Sequence, residues 1–77
     1  MQRYANLGGD SNIYAYECGL DYILVQFGNG SVYKYSYSSA GSYHVETMKE
    51  LAMSGSGLNS YIMRNVRNNY ERWHVGM

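Results

Sequence analysis

The sequence contains no proline and only one cysteine, Cys18. A chain with one thiol cannot form an internal disulfide, and a lone cysteine is typical of a reducing compartment, so we expect a cytoplasmic protein. Cys18, His44 and His74 are scattered and lack the close paired spacing of a zinc site, so no metal or other cofactor is expected. Loops must therefore be built from glycine, asparagine and serine.

The sequence also lacks net charge, because six basic residues balance six acidic ones. Strong non-specific binding of nucleic acid depends on lysine and arginine that neutralise phosphates, so this balance argues against it. No apolar run approaches the ~20 residues of a membrane span. The first residues, MQRYANLGGDSN, lack the apolar core of a secretory signal. We expect no membrane association.

With 77 residues, the chain has room for one domain at most. A core of this size contributes only about 3–5 kcal/mol of net stability. Association with a protein partner or with a second copy would add to it. We expect an irregular lead-in over residues 1–10, one domain over residues 11–72 and a tail over residues 73–77.

Tyrosine is abundant where other aromatic residues are rare: there are ten tyrosines, one phenylalanine and one tryptophan. The segment SVYKYSY places tyrosine at every second position, which is the period of a β-strand. Two earlier segments, NIYAYEC and YILVQF, are also rich in aromatic and branched residues. Asn29-Gly30 between the second and third segments is a strong hairpin signal.

The length of the hairpin loop decides which face of the sheet the tyrosines occupy. A two-residue loop would place Tyr33 opposite Gln26. A three-residue loop over residues 28–30, closed by a glycine bulge, would place Tyr33 opposite Val25 and Tyr35 opposite Ile23. A shift of one residue moves every side chain to the other face, so burial of the apolar residues favours the three-residue loop.

Helical periodicity replaces the strand pattern from about Tyr43. Gly55 is a natural end for a first helix, and a second begins near Leu58. The order predicts an α+β fold, in which a three-stranded antiparallel β-meander is followed by two helices packed on one sheet face. The predicted core comprises Ile23, Val25, Phe27, Tyr33, Tyr35, Val45, Met48, Leu51, Leu58, Ile62 and Val66, and Tyr70 continues the apolar stripe of the second helix.

Several of these segments together resemble the KTSC family, a small domain named for the C-terminal extension of some lysyl-tRNA synthetases and also found alone in bacterial and phage proteins. The resemblance rests on ILVQF, Gly30, the Tyr33-x-Tyr35 pair and SGSGLNSYI, which contains Gly57 and Asn59. It implies structural roles for these motif residues and the same small fold. It also implies RNA binding, which has been suggested for the family.

Exposed tyrosines are the first candidates for binding. Two helices need an apolar surface to cover, so we expect Tyr33 and Tyr35 to be buried rather than to form an open stacking platform. Tyr37, near the strand end, is expected to be exposed. Depending on the register, Tyr14, Tyr16 and Tyr22 are expected on the outer face of the sheet, either as scattered surface residues or as a patch that suits a protein interface.

Basic residues are the second group of candidates. Arg64 and Arg67 on the second helix, with Lys34, form either an ordinary solvated surface or a patch that contacts phosphate. Cys18 and His44 show no sign of forming a catalytic pair, so an enzyme is not expected. The leading function is a non-catalytic module that binds protein through surface tyrosines and the arginine side of the second helix. The alternative is weak binding of RNA or single-stranded nucleic acid.

Overall fold

The fold is an antiparallel sheet with helices on one face, as described by a computed structural model of residues 1–9 and 11–73, with only the main chain of residues 72 and 73. Five strands lie in chain order. They are β1 (Gln2–Arg3), β2 (Ile13–Cys18), β3 (Tyr22–Phe27), β4 (Val32–Ser36) and β5 (Glu71–Trp73). The helices are α1 (Tyr37–Ala40), α2 (Ser42–Ser54) and α3 (Leu58–Tyr61), which continues as a π-helical segment, Ile62–Val66.

The α+β class is confirmed, but three strands were too few. The two additional strands, β1 and β5, are both short and lie at the two edges of the sheet. β1 lies in the segment expected to be an irregular lead-in, and β5 reaches Trp73, the first residue of the expected tail. Strands of two or three residues are too short to show an alternating pattern, so only their pairing with β2 and β4 identifies them. The remaining tail, residues 74–77, lies outside the described residues.

The β3–β4 hairpin has the three-residue loop. Val25 pairs with Tyr33 and Ile23 pairs with Tyr35, which confirms the favoured register. The Gly30 N–H donates to the Phe27 carbonyl at 2.9 Å and closes the turn. Gly30 has a φ of 92°, a left-handed conformation that glycine adopts without strain. This loop therefore brings both tyrosines to the face that carries Ile23 and Val25.

A β-bulge in β2 changes which of its side chains face the core. Ile13 pairs with Phe27, but Ala15 pairs with the next residue of β3, so Tyr14 is an extra residue in the strand. The alternation restarts after the bulge. Tyr16 consequently lies opposite Val25 and is buried, whereas strict alternation from Ile13 would turn it to the outer face.

The core lies between the sheet and the helices. Nine of the residues predicted for it are buried: Ile23, Val25, Phe27, Tyr35, Val45, Met48, Leu58, Ile62 and Val66. The other two, Tyr33 and Leu51, are partly buried and pack against the cluster. The cluster also contains five residues that were not predicted as core residues: Tyr4, Ile13, Tyr16, Ala40 and Ala52. The expected burial is therefore confirmed for Tyr35, whereas Tyr33 is only partly buried.

The last helical segment is shorter than its periodicity predicted. It ends at Val66, where the Asn69 N–H donates to the Val66 carbonyl at 2.8 Å and turns the chain back toward the sheet. Tyr70 lies beyond this turn and stacks on Tyr33. The spacing of Tyr70 is that of a helix, but its ring stacks on Tyr33 of β4, and the residues that follow it form β5, which pairs with β4. Among the described residues, no helix has the length and apolar character needed to cross a membrane.

The two methionines of α2 test this packing. Met48 is completely buried, whereas Met53 is exposed. We expect Met48→Ala to lower the free energy of unfolding by about 2–5 kcal/mol, because it removes buried apolar contacts and leaves a cavity. Met53→Ala, the matched control, should change it by about 0.5 kcal/mol or less. Chemical denaturation of both variants measures the difference, and equal losses would contradict the described packing of α2.

Candidate binding cleft

A cleft opens at the end of the sheet that carries the β3–β4 loop. It consists of two cavities of about 370 Å³ and 390 Å³, and Asn59 lines both of them. The first, which we call the aromatic half, is lined by Asn12, Phe27, Asn29, Ser31, Tyr33, Asn59 and Met63. The second, the hydroxyl half, is lined by Tyr4, Asn6, Gly8, Ser11, Ser56, Gly57, Asn59 and Ser60.

Stacked rings form the floor of the aromatic half. The Tyr33 ring lies 4.3 Å from the Tyr70 ring, with 20° between their planes, and 5.5 Å from the Phe27 ring. Tyr70 also meets the buried Tyr35 edge-on, at 6.1 Å. Offset and edge-on contacts of this kind stabilise ring pairs beyond their buried area. The partly exposed Tyr33 ring is thus held rigidly by the core behind it.

Three asparagine side chains surround this floor. Asn12 is placed by its carbonyl, which accepts from the Gly28 N–H at 2.7 Å. The Asn29 side chain stays in the loop, where its Oδ1 accepts from the Ser31 N–H at 3.0 Å. Asn59 lies in the first turn of α3, directly after Gly57 and Leu58. Three separate segments therefore bring amides to one cavity.

The hydroxyl half is built on the buried ring of Tyr4. The Tyr4 hydroxyl accepts from the Leu58 N–H at 3.3 Å, which joins the segment after β1 to the start of α3. Across from it, Asn6 and Ser11 are joined by two hydrogen bonds between the Asn6 side chain and the Ser11 main chain. These contacts leave small hydroxyls and amides along the wall. No charged side chain lines either half, among the residues that the structure describes.

The strand residues predicted to bind lie away from this cleft. Tyr14 is exposed at the bulge, and the Arg3 guanidinium carbon lies 4.5 Å from its ring centroid. Tyr16 is buried, which corrects its expected place on the outer face. Lys34 pairs with Leu24, and its ammonium lies 4.9 Å from the centroid of the Tyr22 ring. These residues do not form one surface with the cleft lining.

Tyr37 is exposed, as expected, but its hydroxyl is engaged. It donates to Glu46 Oε2 at 2.6 Å, and Lys49 donates to the same oxygen at 2.9 Å. The hydrogen bonds from Tyr37 and then Lys49 hold the pKa of the Glu46 carboxyl below its usual range. Lys49 also donates to the carbonyls of Gly19 and Leu20, at 2.7 and 3.2 Å. Tyr37 therefore belongs to a cluster that ties α2 to the β2–β3 turn.

The two arginines predicted to bind are not part of the cleft lining. Arg64 and Arg67 are both exposed. Arg67 follows Met63 by four residues, close to one helical turn, so it continues the side of the helix that lines the aromatic half.

Among the residues of the family motif, Tyr33, Gly57 and Asn59 line the cleft and Gly30 closes the adjoining loop. Tyr35 is structural, and burial raises the pKa of its phenol.

Two residues considered for catalysis lie in different surroundings. Cys18 borders a shallow groove with Met1 and Met53. His44 lies on α2, and its Nδ1 is 2.6 Å from the Tyr61 hydroxyl. The structure places each next to different neighbours.

Comparisons of the chain with protein-family models, with curated proteins and with solved structures return no match. The resemblance to the KTSC family therefore stays a prediction.

Sequence reasoning missed Asn12, Asn29 and Met63 as cleft residues. Asn12 precedes a strand and Asn29 lies in a turn, and both places are ordinary for asparagine. Met63 lies between the buried Ile62 and the exposed Arg64, where it continues no apolar stripe. The available signal was the number of asparagines near glycine and serine at three loop ends. Only the fold shows that those three loop ends meet.

Substituting Tyr37 tests the cluster on α2. In Tyr37→Phe we expect the pKa of Glu46 to rise part of the way to its ordinary value, because one of its two hydrogen bonds is lost. A pKa lowered by folding stabilises the folded state above the unfolded-state pKa. The stability advantage of the original chain over Tyr37→Phe should therefore be present at neutral pH and disappear as the pH falls through the Glu46 pKa.

Nuclear magnetic resonance of the Glu46 carboxyl carbon during a pH titration measures the pKa directly. Tyr43→Phe is the matched control. Tyr43 is exposed on α2, the helix that carries Glu46, and its hydroxyl makes no hydrogen bond to a described residue. An unchanged Glu46 pKa in Tyr37→Phe, or an equal rise in both variants, would show that the hydrogen bond does not set it.

Proposed function

We propose that the protein is a non-catalytic binding module that recognises another protein through the cleft at the β3–β4 loop. One observation carries the proposal: a rigid aromatic floor is surrounded by uncharged amides and hydroxyls. Protein-binding surfaces such as antibody loops use the same combination, in which tyrosine provides contact area while serine and asparagine provide adaptable hydrogen bonds. Protein binding is also the leading function expected from the sequence, but the proposed site is the cleft instead of the surface tyrosines and the arginine side of the second helix.

The preorganised floor supports this proposal energetically. Binding costs free energy when side chains must be ordered, and a ring already fixed by its neighbours avoids most of that cost. Tyr33 is such a ring, because it stacks on Tyr70 and makes a tilted contact with Phe27. Met63 at the margin is 45% exposed and has a flexible, polarisable side chain that adapts to a partner surface. The cleft thus combines a fixed anchor with an adjustable edge.

The chemistry of the described lining supports binding without catalysis. Amides, aliphatic hydroxyls and a thioether do not titrate near neutral pH, so they are poor general acids or bases. The described lining contains no carboxylate, imidazole or thiol. An enzyme active site normally needs at least one such group or a metal ion.

A single-stranded nucleic acid is the second candidate ligand. Arg67 lies on the helix side that continues from the aromatic half, and a partly exposed tyrosine ring can stack on a base. The resemblance to the KTSC family, for which RNA binding has been suggested, also favours it. However, phosphate binding draws its affinity from several cations, and the described lining supplies none.

Site-specific photo-crosslinking in cell extract decides between these functions. A photoreactive amino acid replaces Met63 in one variant and Met53 in another, since both methionines are exposed and only Met63 lines the cleft. We expect adducts at position 63 that survive nuclease, that excess unlabelled protein suppresses, and that position 53 does not form. Their yield should change little as salt rises, because the cleft lining is uncharged.

Other results would count against the proposal. Adducts that nuclease removes, with a yield that falls steeply as salt increases, would favour nucleic acid. An identical set of adducts at positions 63 and 53 would show that the cleft is not the interface. The absence of any suppressible protein adduct at position 63 would refute the proposed function.

A further inference from the structure

We propose that the cleft takes an extended, uncharged peptide segment of the partner, with one bulky apolar side chain against Tyr33 and Met63. This inference rests on the proposed function and names the chemistry of its partner. Asn59 lies between the aromatic half and the hydroxyl half and lines both. A ligand that fills the cleft must therefore cross Asn59.

The Asn59 amide is available to such a ligand. It is half-buried, and its side chain has no hydrogen-bond partner among the described residues. An asparagine side chain offers both N–H donors and a carbonyl acceptor, so it matches a peptide unit, which has one donor and one acceptor. The Asn59 amide can thus pair with the main chain of a segment that crosses it.

The pairing requires an extended segment. Within a helix, the main-chain N–H and C=O groups are already bonded to one another. An extended segment leaves them free for side-chain amides and hydroxyls along a groove. The hydroxyl half adds Ser11, Ser56 and Ser60 to its lining, and the Ser11 hydroxyl, which accepts from the Ile13 N–H at 3.2 Å, still has a proton to donate. Because Asn59 lines both cavities, a main chain that crosses Asn59 would meet both of them.

The chemistry of the cleft also selects the side chains of the segment. A charged group placed there would lose water without gaining an opposite charge from the described lining, which is unfavourable. In the aromatic half, about 370 Å³ bounded by Phe27, Tyr33 and Met63 is within the range of ligand pockets and accepts one bulky apolar side chain. We therefore expect an apolar anchor residue flanked by small, uncharged residues.

Selection from a library of short random peptides displayed on phage tests this inference with the purified protein. We expect the selected peptides to be uncharged, to share one bulky apolar residue and to bind with little dependence on salt. Synthetic copies should lose about tenfold in affinity or more for Asn59→Asp, which keeps the side-chain shape, removes two donors and adds a charge. Asn68→Asp, an exposed residue outside the cleft lining, is the matched control and should bind as the original chain does.

Several outcomes would overturn the inference. Selected peptides that carry a common charge, that bind as helices or that bind Asn59→Asp equally well would each contradict it. If no peptide is selected while nuclease-resistant adducts still form at position 63, the cleft binds a folded surface or a second copy, and only this inference fails. If those adducts are absent as well, the proposed function fails with it.

Discussion

The pairing of β3 with β4 is the interaction on which the rest of the structure depends. Its three-residue loop sets Val25 against Tyr33 and Ile23 against Tyr35, so that apolar and aromatic side chains share one face. α2 packs on that face, Ile62 and Val66 of the final helical segment belong to the same core cluster, and Tyr70 returns to stack on Tyr33. A shift of one residue would turn the tyrosines to the other face and remove the surface on which the helices pack.

The same pairing explains why a binding cleft adjoins the core. Tyr35 lies in the middle of the covered face and is buried, whereas Tyr33 is two residues nearer the loop and stays partly exposed. The core behind Tyr33 holds its ring, while the loop, Asn12 and the start of α3 bring polar groups around it. A substitution of Tyr33 would therefore affect both stability and binding. Substitutions of Met63 and Asn59 are better suited to examine binding alone.

The far end of the sheet has a different character. Ser36 caps α1 and donates to the Glu71 carboxylate of β5, which fastens the last described strand to the end of β4. Nearby, Tyr37 and Lys49 converge on Glu46, and Lys49 holds two carbonyls of the β2–β3 turn. Charged and hydroxyl groups at this end satisfy one another. In the cleft, by contrast, the side chain of Asn59 has no hydrogen-bond partner among the described residues.

The sequence by itself determined the fold class, the hairpin register and most of the core, since these follow from periods of two and about four residues and from glycine in a turn. It also indicated correctly that Tyr35 is buried, whereas Tyr33, expected to be buried too, is only partly buried. Tertiary structure alone decided the position of Tyr16, because one extra residue at Tyr14 restarts the alternation. It likewise decided the short edge strands and the early end of the last helix, which depend on contacts with distant residues. The cleft belongs to the same group: Asn12, Asn29 and Asn59 are far apart along the chain, and only packing brings them together.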